Sequence, residues 1–247
     1  MILSLTKKFL YIHIPKTGGI SISTSLQAFD SLWNRSRAEK LIEKLSRQNY
    51  IVRKRSWLGQ LQSLARIYSG HQRLDDVHRA IPQDIYQQLF RFAFVRNPYA
   101  IAVSAFHFIK GCKSHHQYPL VNKYQSFSSL VKDGWQIPNF NQVDYIRNDF
   151  GQFDMHFVGR LETIKDDFDL VKNKLNLGNI TLEHLNSTDT DHWREYYDNE
   201  TYDIITKRYE KDLKFLGYQF DSFDDDLSII PARKICEPDK IKIHIPL

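Results

Sequence analysis

The chain has 247 residues, of which 42% are hydrophobic and 26% charged, with a formal net charge of +5. That composition excludes collagenous, low-complexity and wholly disordered classes, and the length suits one substantial core. No run of about 18 apolar residues is present, so no membrane-spanning helix is expected.

The opening residues MILSLTKKFLYIHIPK run straight into strand-like sequence and lack the apolar stretch and cleavage site of a signal peptide. Cys112 and Cys236 form no motif, which excludes a disulfide framework and, with the missing signal, predicts a cytoplasmic protein. Cys112, His115 and His116 have no second cluster at ligand spacing, so no metal site is expected. Patterned sequence continues to residue 220, which sets one domain over 1–220 and a tail over 221–247.

Three segments share one grammar of short apolar run, loop and helical pattern. The first is Phe9–Ile14, then Pro15–Gly19, then Ile20–Phe29. Residues 34–57 follow, carrying Arg35, Arg37, Lys40, Lys44, Arg47, Arg53, Lys54 and Arg55 against Glu39 and Glu43. This one stretch exceeds the whole chain's net charge. It is either a docking place for an anionic partner or a solvated helix face. Leu58–Gln88 reads as helix and loop. The second unit is Phe92–Val95, then Arg96–Asn97, then Pro98–Lys110, with Asn97 as cap and Pro98 at the first helical position. Ile101, Ala105 and Phe108 make one inward stripe on its helix.

Residues 111–145, rich in Ser, Asn, Gln and His, read as an irregular excursion. The third unit is Met155–Val158, then Gly159–Thr163, then Ile164–Leu175. A last helix spans Asn199–Leu216, with Asp198 as cap, Tyr202, Ile205, Tyr209 and Leu216 inward, and Gly217 as stop. Strands alternating with helices predict an α/β fold: a single three-layer domain around a mainly parallel sheet.

The segment from Ile12 to Ser23 places Lys16, Gly18 and Gly19 between a strand and a helix. Glycines let backbone amides approach a ligand, the helix start favours negative charge, and Lys16 adds a cation, so this is an anion cradle. It is not the nucleotide-triphosphate loop GxxxxGK[ST], because Lys16 precedes the glycines. Arg96 follows a buried strand and opens a helix at the carboxyl edge of the sheet, where open α/β folds bind ligands. Together with Ser104, two turns on, it can hold one phosphate by a bidentate fork and a hydroxyl. His13, among aliphatic neighbours, reads as a core histidine. No Ser-His-Asp pattern accompanies Ser21, Ser23, Thr24 or Ser25, which argues against nucleophilic roles. Glu162 is open between base and salt-bridge partner.

Pro15-Lys16-Thr17-Gly18-Gly19-x-Ser21 and Phe94-Val95-Arg96-Asn97-Pro98-Tyr99, continuing to Val103-Ser104, resemble the two donor signatures of PAPS-dependent sulfotransferases. The carbohydrate, Golgi-type branch, similar to sulfotransferase family 2, is the nearest likeness. The resemblance extends to Val158–Glu162 and to the ending Tyr196-Tyr197-Asp198, Arg208-Tyr209, Asp212 and Phe215–Tyr218. It implies a fold like that of nucleotide kinases. It also implies that Pro15, Lys16, Thr17, Gly18, Gly19, Ile20 and Ser21 bind the 5′-phosphosulfate of PAPS, and that Arg96 and Ser104 bind the 3′-phosphate. Ser69-Gly70-His71 is similar to the branch's base-bearing element, which makes His71 the expected base and Lys16 the expected stabiliser of the leaving oxygen. One departure stands out: Ala100 and Ile101 occupy the places of an acidic–basic pair.

The expected reaction moves a sulfuryl group from PAPS to a hydroxyl of a glycan, itself open to being anionic. Positioning and charge neutralisation dominate such a loose transition state. No nucleic-acid partner is expected. Two alternatives stay open: an ATP-dependent small-molecule kinase of similar fold, and a non-catalytic polyanion-binding module using residues 35–55. His78 and His107 compete with His71 for the role of base.

Overall fold

The computed structural model describes residues 1–31, 71–134, 138, 140–182 and 192–223. The basic stretch 34–57, Ser69, Gly70 and most of the tail lie outside the described residues. The described residues divide into two compact units, one drawn from residues 1–95 and 145–182 and the other from residues 96–144 and 192–223.

The first unit is built on a four-stranded sheet of order β1-β2-β3-β4, comprising Ile2–Ser4, Phe9–Ile12, Phe90–Val95 and Phe157–Arg160. β2, β3 and β4 run parallel, and β1 folds back antiparallel on β2 with Ile2 opposite Tyr11. The α/β class with a mainly parallel sheet is therefore as the alternating pattern requires. β1 is an addition, and Lys8 in its turn has a positive φ of 53°. Phe9, Tyr11, Phe92, Phe94 and Phe157 form the core, packed against Ile22 and Leu26 of α1 (Gly19–Leu26) and Phe168 and Val171 of α7 (Ile164–Lys174). The close approach of β3 and β4 requires Gly159: a Cβ there would lie 2.5 Å from Phe94 Cε1.

β3 begins two residues earlier than the apolar run suggests, because buried Arg91 is neutralised inside the fold. Its Nη2 donates to Asp154 Oδ1 at 2.6 Å, its Nε to the Asp154 carbonyl at 2.9 Å, and its Nη1 to the Tyr86 and Leu89 carbonyls at 3.1 Å. Residues 74–86 fold as two short helices, α2 (Leu74–Ala80) and α3 (Gln83–Tyr86). At the far side of the sheet, β4 runs through Gly159 and Arg160, where a loop was expected. Asp167, itself buried, takes the Arg160 amide at 2.8 Å and the Thr163 hydroxyl at 2.7 Å, closing the turn into α7.

The second unit centres on α4 (Pro98–Gly111), capped as expected by Asn97, whose Oδ1 accepts the Tyr99 amide at 3.0 Å. The single inward stripe is corrected. Every residue from Pro98 to Phe106 is buried, whereas Phe108 is 45% exposed. The helix is covered on several sides by Phe127, Leu130, Trp193, Ile205 and Tyr209, so one stripe does not describe it. Ala100 and Ile101 are among the enclosed residues, where a charged pair would be stranded without water. Part of the excursion 111–145 is ordered too, as α5 (Tyr118–Val121) and α6 (Phe127–Lys132), the latter started by a Ser126–Ser129 capping box. The final helix is two: α8 (Asn199–Arg208) and α9 (Glu210–Leu216), broken at buried Tyr209. Asp198 caps the first and Gly217, at φ 68°, stops the second. Tyr202 is 38% exposed rather than inward, stacked at 5.6 Å on Tyr99.

Candidate active site

β2 ends at Ile12, and the chain turns through Pro15–Gly18 into α1. Lys16 has a φ of 68° and Gly18 a φ of 76°. For lysine the left-handed region costs roughly 1 kcal/mol, the kind of strain that collects at functional sites. Alternating left-handed residues turn successive amides toward one side, forming a concavity for an anion. Thr17 is fully buried, and its hydroxyl donates to the Ile14 carbonyl at 2.9 Å, so its side chain braces the loop. Gly18 caps α1 without a side-chain bond, and the first turn holds no acidic residue. The Ile22 amide donates to the Gly18 carbonyl at 3.3 Å, which sets Gly19, Ile20 and Ser21 in the first turn, at the positive end of the helix dipole. Ser21 is buried, whereas the Ile20 side chain is 53% exposed.

Two histidines stand over this loop. The ring of His13 lies where a side chain at residue 19 would go: a Cβ on Gly19 would be 1.9 Å from His13 Cδ2 and Nε2. His71 packs edge-on against it with centroids 4.4 Å apart. His71 Nδ1 lies 3.2 Å from the His13 carbonyl oxygen. A carbonyl only accepts, so Nδ1 carries the proton and Nε2 keeps its lone pair. Burial, more than the pull of that bond, draws the His71 pKa below its ordinary value of 6.5, and burial draws His13 well below it. Both imidazoles are therefore neutral near pH 7. A neutral ring with a fixed tautomer is what a proton acceptor requires.

The structure thus brings Pro15–Ser21, His13 and His71 together in the first unit. Arg96 and Ser104 belong to the second. Ser104 lies in α4 and is 2% exposed. The main chain of Arg96 is gripped by a side-chain amide: Arg96 N donates to Gln142 Oε1 at 2.9 Å, and Gln142 Nε2 donates to Arg96 O at 2.8 Å. Gln142 is in turn fixed by Asp212, whose carboxylate accepts the amides of Gln142 at 2.7 Å and Val143 at 3.1 Å. Burial pushes Asp212 up to about 6 against those two donors.

The competing histidines are engaged elsewhere. His78, in α2, holds Asp149 Oδ1 at 2.5 Å and meets the Tyr86 ring edge-on at 4.3 Å. His107, in α4, packs against the Tyr196 ring at 5.0 Å. Glu162 sits exposed in the 3₁₀ turn Leu161–Thr163. Among the described residues no group of three His, Cys, Asp or Glu converges as a metal site, and no helix is long and apolar enough to cross a membrane.

Sequence reasoning took His13 for a core residue and passed over Gln142. The proximity of Gly19 to His13 has no sequence signal, because it depends on how α1 leaves the strand. Asp212 appeared only within the ending motif.

Residues 1–219 match the model of the sulfotransferase family. This chain belongs to the sulfotransferase family. Sulfuryl transfer to a hydroxyl acceptor is the activity general to that family, and the strand–loop–helix with its Lys and paired glycines falls inside the matched region. No curated protein and no solved structure matches the chain.

Proposed function

We propose that this sulfotransferase takes its sulfuryl group from PAPS and delivers it to a carbohydrate hydroxyl. The observation that carries the reading is the loop Pro15–Ser21. Its strained Lys16, left-handed Gly18 and a helix start without an acidic residue form a cradle for a tetrahedral anion, with a tautomer-fixed His71 beside it. The donor's 5′-phosphosulfate would be held by the amides of Thr17–Ser21 and by Lys16, with Pro15 and Ile20 completing the loop. Its 3′-phosphate is assigned to the Arg96 guanidinium and the Ser104 hydroxyl.

His71 Nε2 accepts the proton of the acceptor hydroxyl as the acceptor oxygen bonds to sulfur. Lys16 neutralises the charge that develops on the phosphate oxygen as its bond to sulfur breaks. His71 then returns the proton to solvent. Fixed charges of this kind act most on the transition state, where negative charge is greatest. An acidic glycan would suit the basic stretch 35–55, which lies outside the described residues. The kinase alternative is disfavoured by the order of Lys16 and the glycines.

The test is a thermal-shift comparison of PAP and ATP on the purified chain. PAP at about 100 times its dissociation constant should add roughly 2.7 kcal/mol, and ATP much less, because ATP lacks the 3′-phosphate. Equal shifts would overturn the PAPS assignment. A screen of sugar acceptors with labelled PAPS then tests the carbohydrate, and transfer confined to non-sugar hydroxyls would overturn that part.

A further inference from the structure

Arg96 sits where strand ends and helix has not begun. β3 stops at Val95, and α4 starts at Pro98. A residue in such a junction normally loses backbone partners, and its side chain then sweeps over several directions. Here the partners are supplied by one side chain. Gln142, 1% exposed, offers its carbonyl oxygen to the Arg96 amide and its NH₂ to the Arg96 carbonyl, a two-point match that only an amide can make. Gln142 opens the 3₁₀ turn Gln142–Tyr145, and that turn is anchored from α9. Asp212 takes the amides of Gln142 and Val143, and Lys211 pairs with Asp144. The Tyr209 hydroxyl adds a bond to the Pro138 carbonyl at 2.7 Å. On the other side of Arg96, Asn97 caps α4 and donates to the carbonyls of Gln219 and Phe220 at 2.9 and 3.3 Å.

These bonds use the main chain of Arg96 and not its guanidinium. We infer that Gln142, braced by Asp212, is a positioning residue that fixes the backbone of Arg96 so that its guanidinium meets the donor's 3′-phosphate in one orientation. The inference rests on the PAPS reading above. Its physical content is preorganisation. A guanidinium on a fixed backbone forms its bidentate pair without first ordering the chain, whereas one on a loose junction must do so on binding.

The experiment compares PAP with AMP, which lacks the 3′-phosphate, by calorimetric titration of the parent chain, Gln142→Ala, Gln142→Met and Arg96→Ala/Gln142→Ala. The parent should bind PAP far more tightly than AMP. Failure of that result sinks the PAPS reading itself and leaves nothing for Gln142 to position. Given that preference, Gln142→Ala should weaken PAP by about 10-fold, the worth of one or two well-aligned hydrogen bonds, and change AMP less than about 2-fold. In the Arg96→Ala background the same substitution should have no further effect on PAP. Gln142→Met keeps the volume of the buried side chain but lacks both hydrogen bonds. It should reproduce the selective loss even if the alanine variant folds poorly. A parent-like ratio of PAP to AMP affinity in a folded variant, or equal losses for both ligands, would show that Gln142 serves stability alone.

Discussion

Replacing Gly19 by alanine sets two effects of opposite sign against each other. In the first turn of a helix, Gly→Ala by itself stabilises by roughly 0.5–1 kcal/mol, through lost freedom in the unfolded chain and better helix propensity. At this position the new Cβ would lie 1.9 Å from two atoms of the His13 ring and 2.8 Å from a third. Non-bonded carbons rest at about 3.5–4.0 Å, so ring and helix must separate by roughly 1.5 Å. The ring has little freedom to yield. It stacks on Tyr11 at 6.1 Å and meets His71 edge-on at 4.4 Å. Overpacking of a closed site costs about 1–3 kcal/mol, and a forced off-rotamer angle adds about 1. Sterics therefore win, and Gly19→Ala should lose about 2 kcal/mol. For a chain of this size that lowers the melting temperature by roughly 4–8 °C. Turnover should fall as well, since moving His13 moves the carbonyl that orients His71. The decisive comparison is made in a His13→Ala background, where the clash is gone and the same Gly19→Ala step should become neutral or stabilising. Thermal denaturation of the four chains reads this directly. If Gly19→Ala costs as much without the His13 ring as with it, the argument from the ring is wrong.

Lys16→Ala should reduce turnover by about 10²–10³ while PAP affinity falls much less, because its charge acts chiefly on the leaving oxygen; single-turnover rates beside PAP titrations check it, and equal losses in both would remove Lys16 from the reacting centre. His71→Ala should lower kcat by about 10²–10⁴ with PAP binding preserved. As burial holds His71 below its ordinary pKa, the parent's kcat should stay high as pH falls past 6.5 and drop only at lower pH, a limb that the variant lacks; near-parent turnover would end the assignment. His156 predicts acid sensitivity in the first unit. Its Nδ1 accepts the Arg91 amide at 3.0 Å, and burial lowers its pKa from 6.5 to about 4. Below pH 6.5 the unfolded chain therefore binds a proton that the folded chain refuses, so stability is lost as pH falls toward 4, by up to about 3 kcal/mol. His156→Gln, which still offers an acceptor, should flatten the fall in urea stability between pH 7 and 5, and parallel curves for the two chains would refute the assignment. Asp212 in the second unit runs the other way: its raised pKa, about 6, means the folded chain takes up the proton first, so acid relieves it.

What the sequence determined by itself is what neighbouring residues settle among themselves. The apolar runs at Phe9–Ile14 and Phe92–Val95 became the parallel strands Phe9–Ile12 and Phe90–Val95 because apolar runs of that length have few other uses. Asn97 with Pro98, Asp198, and Gly217 fixed helix ends through bonds to atoms one to four residues away. The cradle was legible for the same reason, since lysine, glycines and helix start are contiguous. Tertiary structure decided whatever depends on partners far along the chain. His71 meets the carbonyl of a residue 58 positions away, and Gln142 reaches Arg96 across 46 and Asp212 across 70. The apolar run began at Phe92 and left Arg91 out, whereas in the fold Asp154, 63 positions on, pairs with its guanidinium and lets it join the strand as a buried residue. Phe108 follows the same rule from the other side: its spacing marked it for the core, but packing around α4 closed on Phe106 and Ile109 and left it outside. Periodicity reports which residues share a face, and hydrophobic burial follows that face only as far as there is something to pack against it.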